Sequence, residues 1–117
     1  MSLESDVLAV LQTQCPRVYP SQAPLNTVRP FLTYDHLGGD ALRYMDGTAA
    51  DKRMAQLQVT VWAADKPTAI TLMLAVEEAM CTAAAFSCAP VGALQSGYEY
   101  EGEIFRSFQE FTVLGAR

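Results

Sequence analysis

The sequence is poor in charge, and the charge that it has is mostly negative. Only 18% of its 117 residues are charged, 8 as Lys or Arg and 13 as Asp or Glu, so the formal net charge is −5 at neutral pH. Because contacts to nucleic-acid phosphates need an excess of positive charge, this balance argues against sequence-specific nucleic-acid binding. Half of the residues are hydrophobic, which excludes a disordered chain and predicts one domain over residues 1–117.

Histidine and cysteine are also scarce, which leaves little material for catalysis or metal binding. His36 is the single histidine, and no nucleophile motif, phosphate-binding Gly-rich loop or metal-spaced His pair accompanies it. Cys15, Cys81 and Cys88 form an odd set without a Cys-x-x-Cys pair, so they predict neither a disulfide framework nor a zinc site. We therefore expect no enzyme, and three small buried cysteines in a reducing compartment.

Long hydrophobic runs are absent as well. The best candidate, Ala69 to Phe86, is interrupted by Glu77 and Glu78 and falls short of the roughly 20 apolar residues that a membrane span needs. The acidic N-terminus, Met1 to Asp6, lacks the basic start of a signal peptide. The sequence predicts a protein that is made and kept in the cytoplasm, without a membrane partner.

The N-terminal part predicts a helix followed by short extended pieces. Ser2 is a suitable N-cap, and apolar side chains at helical spacing continue to Cys15-Pro16, where the helix should end. The prolines that follow leave room for at most a brief edge strand near Val18-Tyr19, and Phe31 to His36 resembles a second strand. Residues 37–52 mix glycines, charges and apolar side chains without a period, so this long loop is a functional candidate.

The middle of the chain has the clearest pattern. Alternate apolar residues from Ala55 to Ala63 predict a strand with one core face and one polar face, and the polar face ends in Trp62, the only tryptophan. The run Asp65-Lys66-Pro67 is typical of a helix start. This helix should continue to about Phe86, closed by Ser87 to Pro90.

The apolar side of the long helix spans an arc of about 200°, which is wider than one sheet face requires. Glu77 lies inside the arc, away from its centre. Either this side of the helix is partly exposed and the carboxylate reaches solvent, or the carboxylate meets a base on a partner subunit. The arc contains Ile70, Leu72, Met73, Leu74, Val76, Met80, Cys81 and Ala84.

The last part of the chain predicts two strands, Ala93 to Tyr100 and Ile104 to Leu114. In regular extended geometry Phe105 and Phe111 share one face while Phe108 lies on the other, so the final strand carries aromatic rings on both sides. The alternative is a bulge that turns all three rings inward.

The acidic residues around the turn between these strands are the best candidate for a ligand site. Alternate positions of an extended chain would project Glu99, Glu101 and Glu103 to one side, where they could hold a cation such as Mg²⁺ or Ca²⁺. The alternative is a solvated hairpin tip. A bound metal would make the chain a small cytoplasmic ligand-binding or regulatory domain.

Together these elements predict an α+β fold with a mainly antiparallel sheet of four to five strands. The long helix packs across the sheet, and the N-terminal helix lies beside it or on a neighbouring molecule.

Short sequence segments, spread over these elements in order, are similar to those of a known family. Together they resemble the tail completion, or tail terminator, proteins of long-tailed bacteriophages, prophages and related phage-like particles. The segments are Met1-Ser2-Leu3-Glu4, Arg17-Val18-Tyr19-Pro20, Arg29-Pro30 with Phe31-Leu32-Thr33-Tyr34, Asp46-Gly47, Leu57 to Ala63 and the final strand from Ile104 to Leu114.

The resemblance implies a small α+β subunit of a ring, usually a hexamer, that caps the finished tail tube. Such a ring ends tube polymerisation and presents a surface for joining the tail to the head. The resemblance also implies no enzymatic activity and no cofactor, with tail tube and head connector proteins as partners. The protein would belong to the virion tail and be assembled in the host bacterial cytoplasm. A head-side connector or stopper is the alternative within the same machinery.

The resemblance provides no motif that marks contact residues. The loop from Leu37 to Lys52 is the first candidate for contacts with a neighbouring subunit or the tail tube, and a surface loop without a partner is the alternative. The candidate contact residues are Asp40, Arg43, Tyr44, Asp46, Lys52, Arg53 and Glu77.

Overall fold

The structure is a computed structural model that describes residues 3–21, 23–24, 27–38, 52–99 and 104–116. In this part of the chain two helices and five strands follow one another. They are α1 (Leu3–Gln14), β1 (Val18–Pro20), β2 (Phe31–Gly38), β3 (Lys52–Ala63), α2 (Lys66–Thr82), β4 (Ser87–Glu99) and β5 (Ile104–Ala116).

The five strands form one mixed sheet in the order β1-β2-β3-β5-β4. β1 pairs in parallel with β2, and the three other pairs are antiparallel. The predicted α+β class with a mainly antiparallel sheet is therefore confirmed. The brief edge strand near Val18-Tyr19 is confirmed too, as β1.

The core lies between one face of the sheet and the two helices. On β3 the alternation predicted from the sequence puts every second side chain from Ala55 to Ala63 into this core, each at most 2% exposed. Leu3, Val7 and Leu11 of α1 pack into the same core, so the N-terminal helix lies beside α2 on its own sheet. On α2 the buried residues are Ala69, Met73, Val76 and Met80.

The start of α2 is fixed by the predicted cap. The Asp65 side chain accepts a hydrogen bond from the backbone N–H of Thr68 at 2.8 Å. Hydrogen bonding from the Thr68 side chain and, second to it, from the Thr68 backbone N–H lowers the pKa of the Asp65 carboxyl, because both stabilise the charged form. Pro67 occupies the first turn, where its missing N–H costs no intrahelical hydrogen bond.

The predicted end of α2 is wrong. The helix ends at Thr82 rather than near Phe86, because Ala83 already has an extended backbone. Ser87 to Pro90, predicted to close the helix, are the first residues of β4 and pair with β5. Burial of Phe86 and strand pairing outweigh the high helix propensity of the alanines before them.

The buried arc of α2 is also narrower than its apolar residues predict. Leu74 is 50% exposed, and Cys81 is exposed as well. Ala84 lies outside the helix. The apolar side chain of Leu74 remains at the surface of α2, because only the residues at positions 69, 73, 76 and 80 lie on the buried side of the helix.

The β4 strand contains the irregularity of the sheet. Its register against β5 shifts between Val91 and Gln95, where Gly92 has a φ of 81°. By contrast, β5 pairs with β3 without interruption from Phe105 to Ala116. The regular alternation of the three phenylalanines is therefore confirmed, and the bulge that would turn all three rings inward does not form.

Candidate interaction surfaces

The sheet has a second face, opposite α1 and α2, that we call the open face. Cross-strand pairing arranges its side chains in rows, because directly paired residues point to the same side. The first row is Phe31, Trp62, Arg106 and Gly97, and the second is Tyr19, Thr33, Thr60, Phe108 and Gln95. Neither helix covers these rows, since both pack against the opposite face.

The aromatic rings of the open face contact one another. Phe31 stacks on Trp62 with ring centroids 6.1 Å apart and an interplanar angle of 17°. Tyr19 meets the edge of Phe31 at 6.4 Å. The indole N–H of Trp62 donates a hydrogen bond to the Thr33 hydroxyl at 3.0 Å. These contacts within the chain fix the orientation of the rings.

The Arg106 guanidinium lies among the rings. The guanidinium carbon of Arg106 is 5.6 Å from the centroid of the Phe108 ring, within the range of a cation–π contact. Its side chain crosses Gly97, where an added Cβ would lie 2.6 Å from Arg106 Nε. The glycine thus leaves the space that the arginine occupies.

The rows next to the aromatic ones are polar. Asp35, Gln58 and Glu110 are paired across β2, β3 and β5 on the same face. The open face therefore joins an aromatic and cationic half to a polar, acidic half.

On the helix side of the sheet, Gln109 connects three elements. Its side-chain N–H₂ donates to the Glu77 carboxylate of α2 at 3.0 Å and to the Gly92 carbonyl of β4 at 2.9 Å. The side chain is 2% exposed, whereas Glu77 is half-buried. One buried amide thus holds the β4 irregularity against α2.

The structure therefore gives Glu77 a partner that the sequence did not indicate. Both interpretations of Glu77, solvent contact and a base on a partner subunit, remain predictions. The carboxylate has already accepted one hydrogen bond within its own chain, and it remains half-buried.

The other candidate contact residues lie mostly outside the part of the chain that the structure describes. Asp40, Arg43, Tyr44 and Asp46 belong to 39–51, outside the described residues, and the same holds for the side chains of Lys52 and Arg53 at the start of β3. The role of these residues as contacts stays a prediction.

The cysteines differ in their environment. Cys15 is buried, as predicted, but the prediction is wrong for Cys81, which is exposed, and for Cys88, which is only half-buried. Burial, and to a smaller extent the neighbouring Cys81 thiol, raise the pKa of Cys88 to about 12. The reactive thiolate form of Cys88 is therefore rare at neutral pH.

The described residues contain no cluster of metal-ligating side chains. Within 3–38 and 52–116, apart from the gaps, no three His, Cys, Asp or Glu side chains are grouped as metal ligands. His36 is exposed on β2, with its Nε2 3.6 Å from a Glu4 oxygen. Glu101, Glu103 and the side chain of Glu99 lie outside the described residues, so the predicted cation site stays a prediction. Neither described helix is long and apolar enough to cross a membrane.

The sequence indicated some residues of the open face but not that they lie next to one another. The period of two in β3 singled out Trp62, and the period in β5 placed Phe108 opposite Phe111. The missing information was the strand order, which brings Tyr19, Phe31 and Arg106 beside them. Tyr19 and Phe31 alone carry no sequence signal for this position.

The fold is a small α+β domain with one sheet face buried by its own helices and the other bearing stacked aromatic rings. The family model described as "Tail completion protein gp17" matches residues 3–114, nearly the whole chain, and the chain belongs to this family of structural phage tail proteins. This match confirms the resemblance inferred from the sequence. A search of curated proteins finds no match.

Proposed function

We propose that this chain assembles into a ring, a hexamer, that caps the finished tail tube, stops its polymerisation and provides the surface to which the head joins. The observation that carries the proposal is membership of the tail completion family over residues 3–114. The open face supports it, because its neighbouring aromatic rings outside the helix-covered core offer apolar surface for contact with another molecule.

The ring acts by binding and shape alone, without catalysis or a cofactor. Its partners are further copies of the chain, the tail tube protein and the head connector protein, and it belongs to the virion tail after assembly in the host bacterial cytoplasm. The net charge of −5 suits a ring whose wall DNA passes without being held.

Two regions supply the contacts of this ring, the segment between β2 and β3 and the open face. Leu37 and Lys52, the predicted ends of the loop, belong to β2 and β3, so the proposed contact is the segment 39–51 between them. This segment, with Asp40, Arg43, Tyr44 and Asp46, contacts a neighbouring subunit or the tube. Lys52, Arg53 and Glu77 extend the same contact set. In a cyclic ring each subunit contacts its two neighbours through two different surfaces, so this segment and the open face are suitable counterparts.

Mass in solution tests the ring directly. Light scattering of the purified chain, alone over a range of concentrations and with tail tubes, should show a species of several subunits, formed on its own or on the tube. A strict monomer under every condition, with no chain bound to tubes after sedimentation, would contradict the ring.

A further inference from the structure

The two edges of the described sheet differ in how well they are shielded against pairing with another strand. An edge strand presents backbone N–H and C=O groups along its outer side, and proteins shield such edges with short strands, charges, proline or bulges. At one edge β1 has only three residues and ends in Pro20, and the β2 strand beyond it has an irregularity between His36 and Gly38. At the other edge β4 has 13 residues. The long edge of the sheet is therefore the outer side of β4.

The second half of β4 lacks this shielding. Pro90 and the irregularity after Val91 interrupt the first half. The stretch 94–98, Leu-Gln-Ser-Gly-Tyr, contains no proline and no charge, and we call it the β4 edge. Gln95, Ser96 and Tyr98 are exposed. The subunit thus leaves an uncharged strand edge open to a partner.

An apolar side chain of α2 lies on the side of the helix that faces β4. Glu77 of α2 and Gly92 of β4 both accept hydrogen bonds from the amide of Gln109, so the side of α2 that carries Glu77 is turned toward β4. Leu74 comes three residues before Glu77 and therefore lies on the same side of the helix. Its side chain is 50% exposed. The helix thus offers apolar surface next to the strand edge.

The direction of α2 gives the position of Leu74 along β4. Phe86, after the helix, lies against Gly115 at the end of β5. The helix therefore runs toward the end of β5, and Leu74 lies before the level of Gln109. Along β5 this is the direction of the residues that pair with Ser96. Leu74 consequently flanks the middle of the β4 edge.

Charge favours a second copy of the chain as the molecule that pairs here. Two copies with a net charge of −5 each repel one another, so contact costs least where neither carries charge. No residue from Ser87 to Tyr98 is charged. Because the opposite edge is shielded, the described strand that a second copy can offer for pairing is its own β4.

The β4 edge is complementary to itself. Antiparallel pairing about a two-fold axis at Ser96 places Leu94 of each copy opposite Tyr98 of the other, on the side of the helices. Leu94 is half-buried against the core and Tyr98 is 40% exposed, and apolar–aromatic cross-strand pairs stabilise a sheet. Glu99, the first charged residue after this stretch, comes opposite the uncharged Ala93. No like charges meet in this register.

The same axis brings the two α2 helices together above the new strand pair. The helix packs over β5 and β4 in each copy. With strands about 4.8 Å apart, the two helix axes come to lie about 10–14 Å from each other. Helices in direct contact are about 8–10 Å apart, so side chains of moderate length close the remaining gap. The exposed Leu74 of each copy is placed to meet Leu74 of the other.

We infer that the β4 edge pairs with the β4 edge of a second copy in a two-fold dimer, whose continuous sheet is covered at the junction by Leu74 of both copies. Both copies use the same surface, so this contact differs from a ring contact, which joins two different surfaces. The dimer goes beyond the proposed ring: it is the form of the chain away from the tail, in which two unshielded edges cover each other.

A charge exchange at one position tests the two-fold axis. Leu74→Lys and Leu74→Glu should each weaken the dimer roughly 100-fold in sedimentation velocity, because two like charges then face each other across the axis. An equal mixture of the two variants should form mixed dimers at the wild-type concentration. Restoration by mixing requires that residue 74 faces itself, which holds only when both copies use the same surface.

A matched pair of variants separates this contact from a general effect of charge. Leu37→Lys and Leu37→Glu change an apolar residue of β2 that is 44% exposed, and both should dimerise like the wild type. Thermal unfolding of all four variants should stay near that of the wild type, since the substituted side chains are exposed.

Hydrogen exchange of the wild type tests the strand pairing without any substitution. Amides of residues 94–98 should exchange more slowly in concentrated protein than after dilution, because dimerisation gives outward N–H groups a partner. The amides of Val18 and Tyr19, at the opposite edge, should exchange at the same rate under both conditions.

Several results would overturn the two-fold contact while leaving the ring proposal untouched. These are a wild-type chain that is monomeric away from tail tubes, Leu74 variants that dimerise like the wild type, a mixture that restores no dimer, and exchange at 94–98 that does not depend on concentration. Protection of 94–98 that appears only when tail tubes are added would show that the tube protein covers this edge, which also contradicts the dimer.

Discussion

Phe111→Ala is expected to lower the free energy of unfolding by about 3–5 kcal/mol, which is the usual loss for a large aromatic removed from a sealed core. Phe111 is 0% exposed and lies between its cross-strand neighbours Leu57 and Pro90, on the face that packs against the helices. Small domains are stable by about 5–15 kcal/mol, so the variant should lose a substantial part of its stability. Urea unfolding followed by circular dichroism measures the change.

Phe108→Ala is the matched control on the same strand. Its ring lies on the open face, is half-buried and contacts Arg106. We expect a loss of folding stability well below that of Phe111→Ala, together with a clear loss of assembly. Equal destabilisation by the two changes would mean that both faces of the sheet are sealed within one subunit, which contradicts an open face.

Gln109→Leu is the second change with a large expected effect, about 2 kcal/mol of unfolding free energy. The substitution keeps the size of the side chain but leaves the Gly92 carbonyl and the Glu77 carboxylate without their amide donor. Part of the cost is offset, because the buried Gln109 Oε1 has no hydrogen-bond partner among the described residues and is removed as well. Hydrogen exchange should become faster around Gly92.

Glu77→Gln is the control for this network. A glutamine oxygen still accepts the hydrogen bond from Gln109, so the unfolding free energy should change by less than about 1 kcal/mol. If Glu77 also meets a base on a neighbouring subunit, this variant weakens assembly while folding is preserved. A Gln109→Leu variant as stable as the wild type would show that the bulge of β4 is held by strand pairing alone.

Sequence patterns predicted correctly the elements that are set by residues close together in the chain. The alternation from Ala55 to Ala63 sufficed to give β3 and its buried face, and the side chain of Asp65 sufficed to start α2. The end of α2 depends instead on pairing between β4 and β5, which no local property of the alanines after Thr82 reveals. The same holds for the irregularity at Gly92, which depends on the distant Gln109.

The candidate surface illustrates the same limit. Trp62 and Phe108 were visible as apolar residues on otherwise polar faces, but their relation to Phe31 and Arg106 follows from strand order and register. Register is set by the fit of whole strands and not by any one residue. The family, by contrast, was recognisable from short sequence segments spread along nearly the whole chain.

Tail length is the most direct test of the central claim that this chain completes a phage tail. Tails assembled from the same phage proteins with and without the chain are measured by electron microscopy, with heads added afterwards. We predict tails of one uniform length that join heads when the chain is present, and tails of variable, excessive length without heads when it is absent. The same length distribution and the same fraction of joined heads in both preparations would contradict the account.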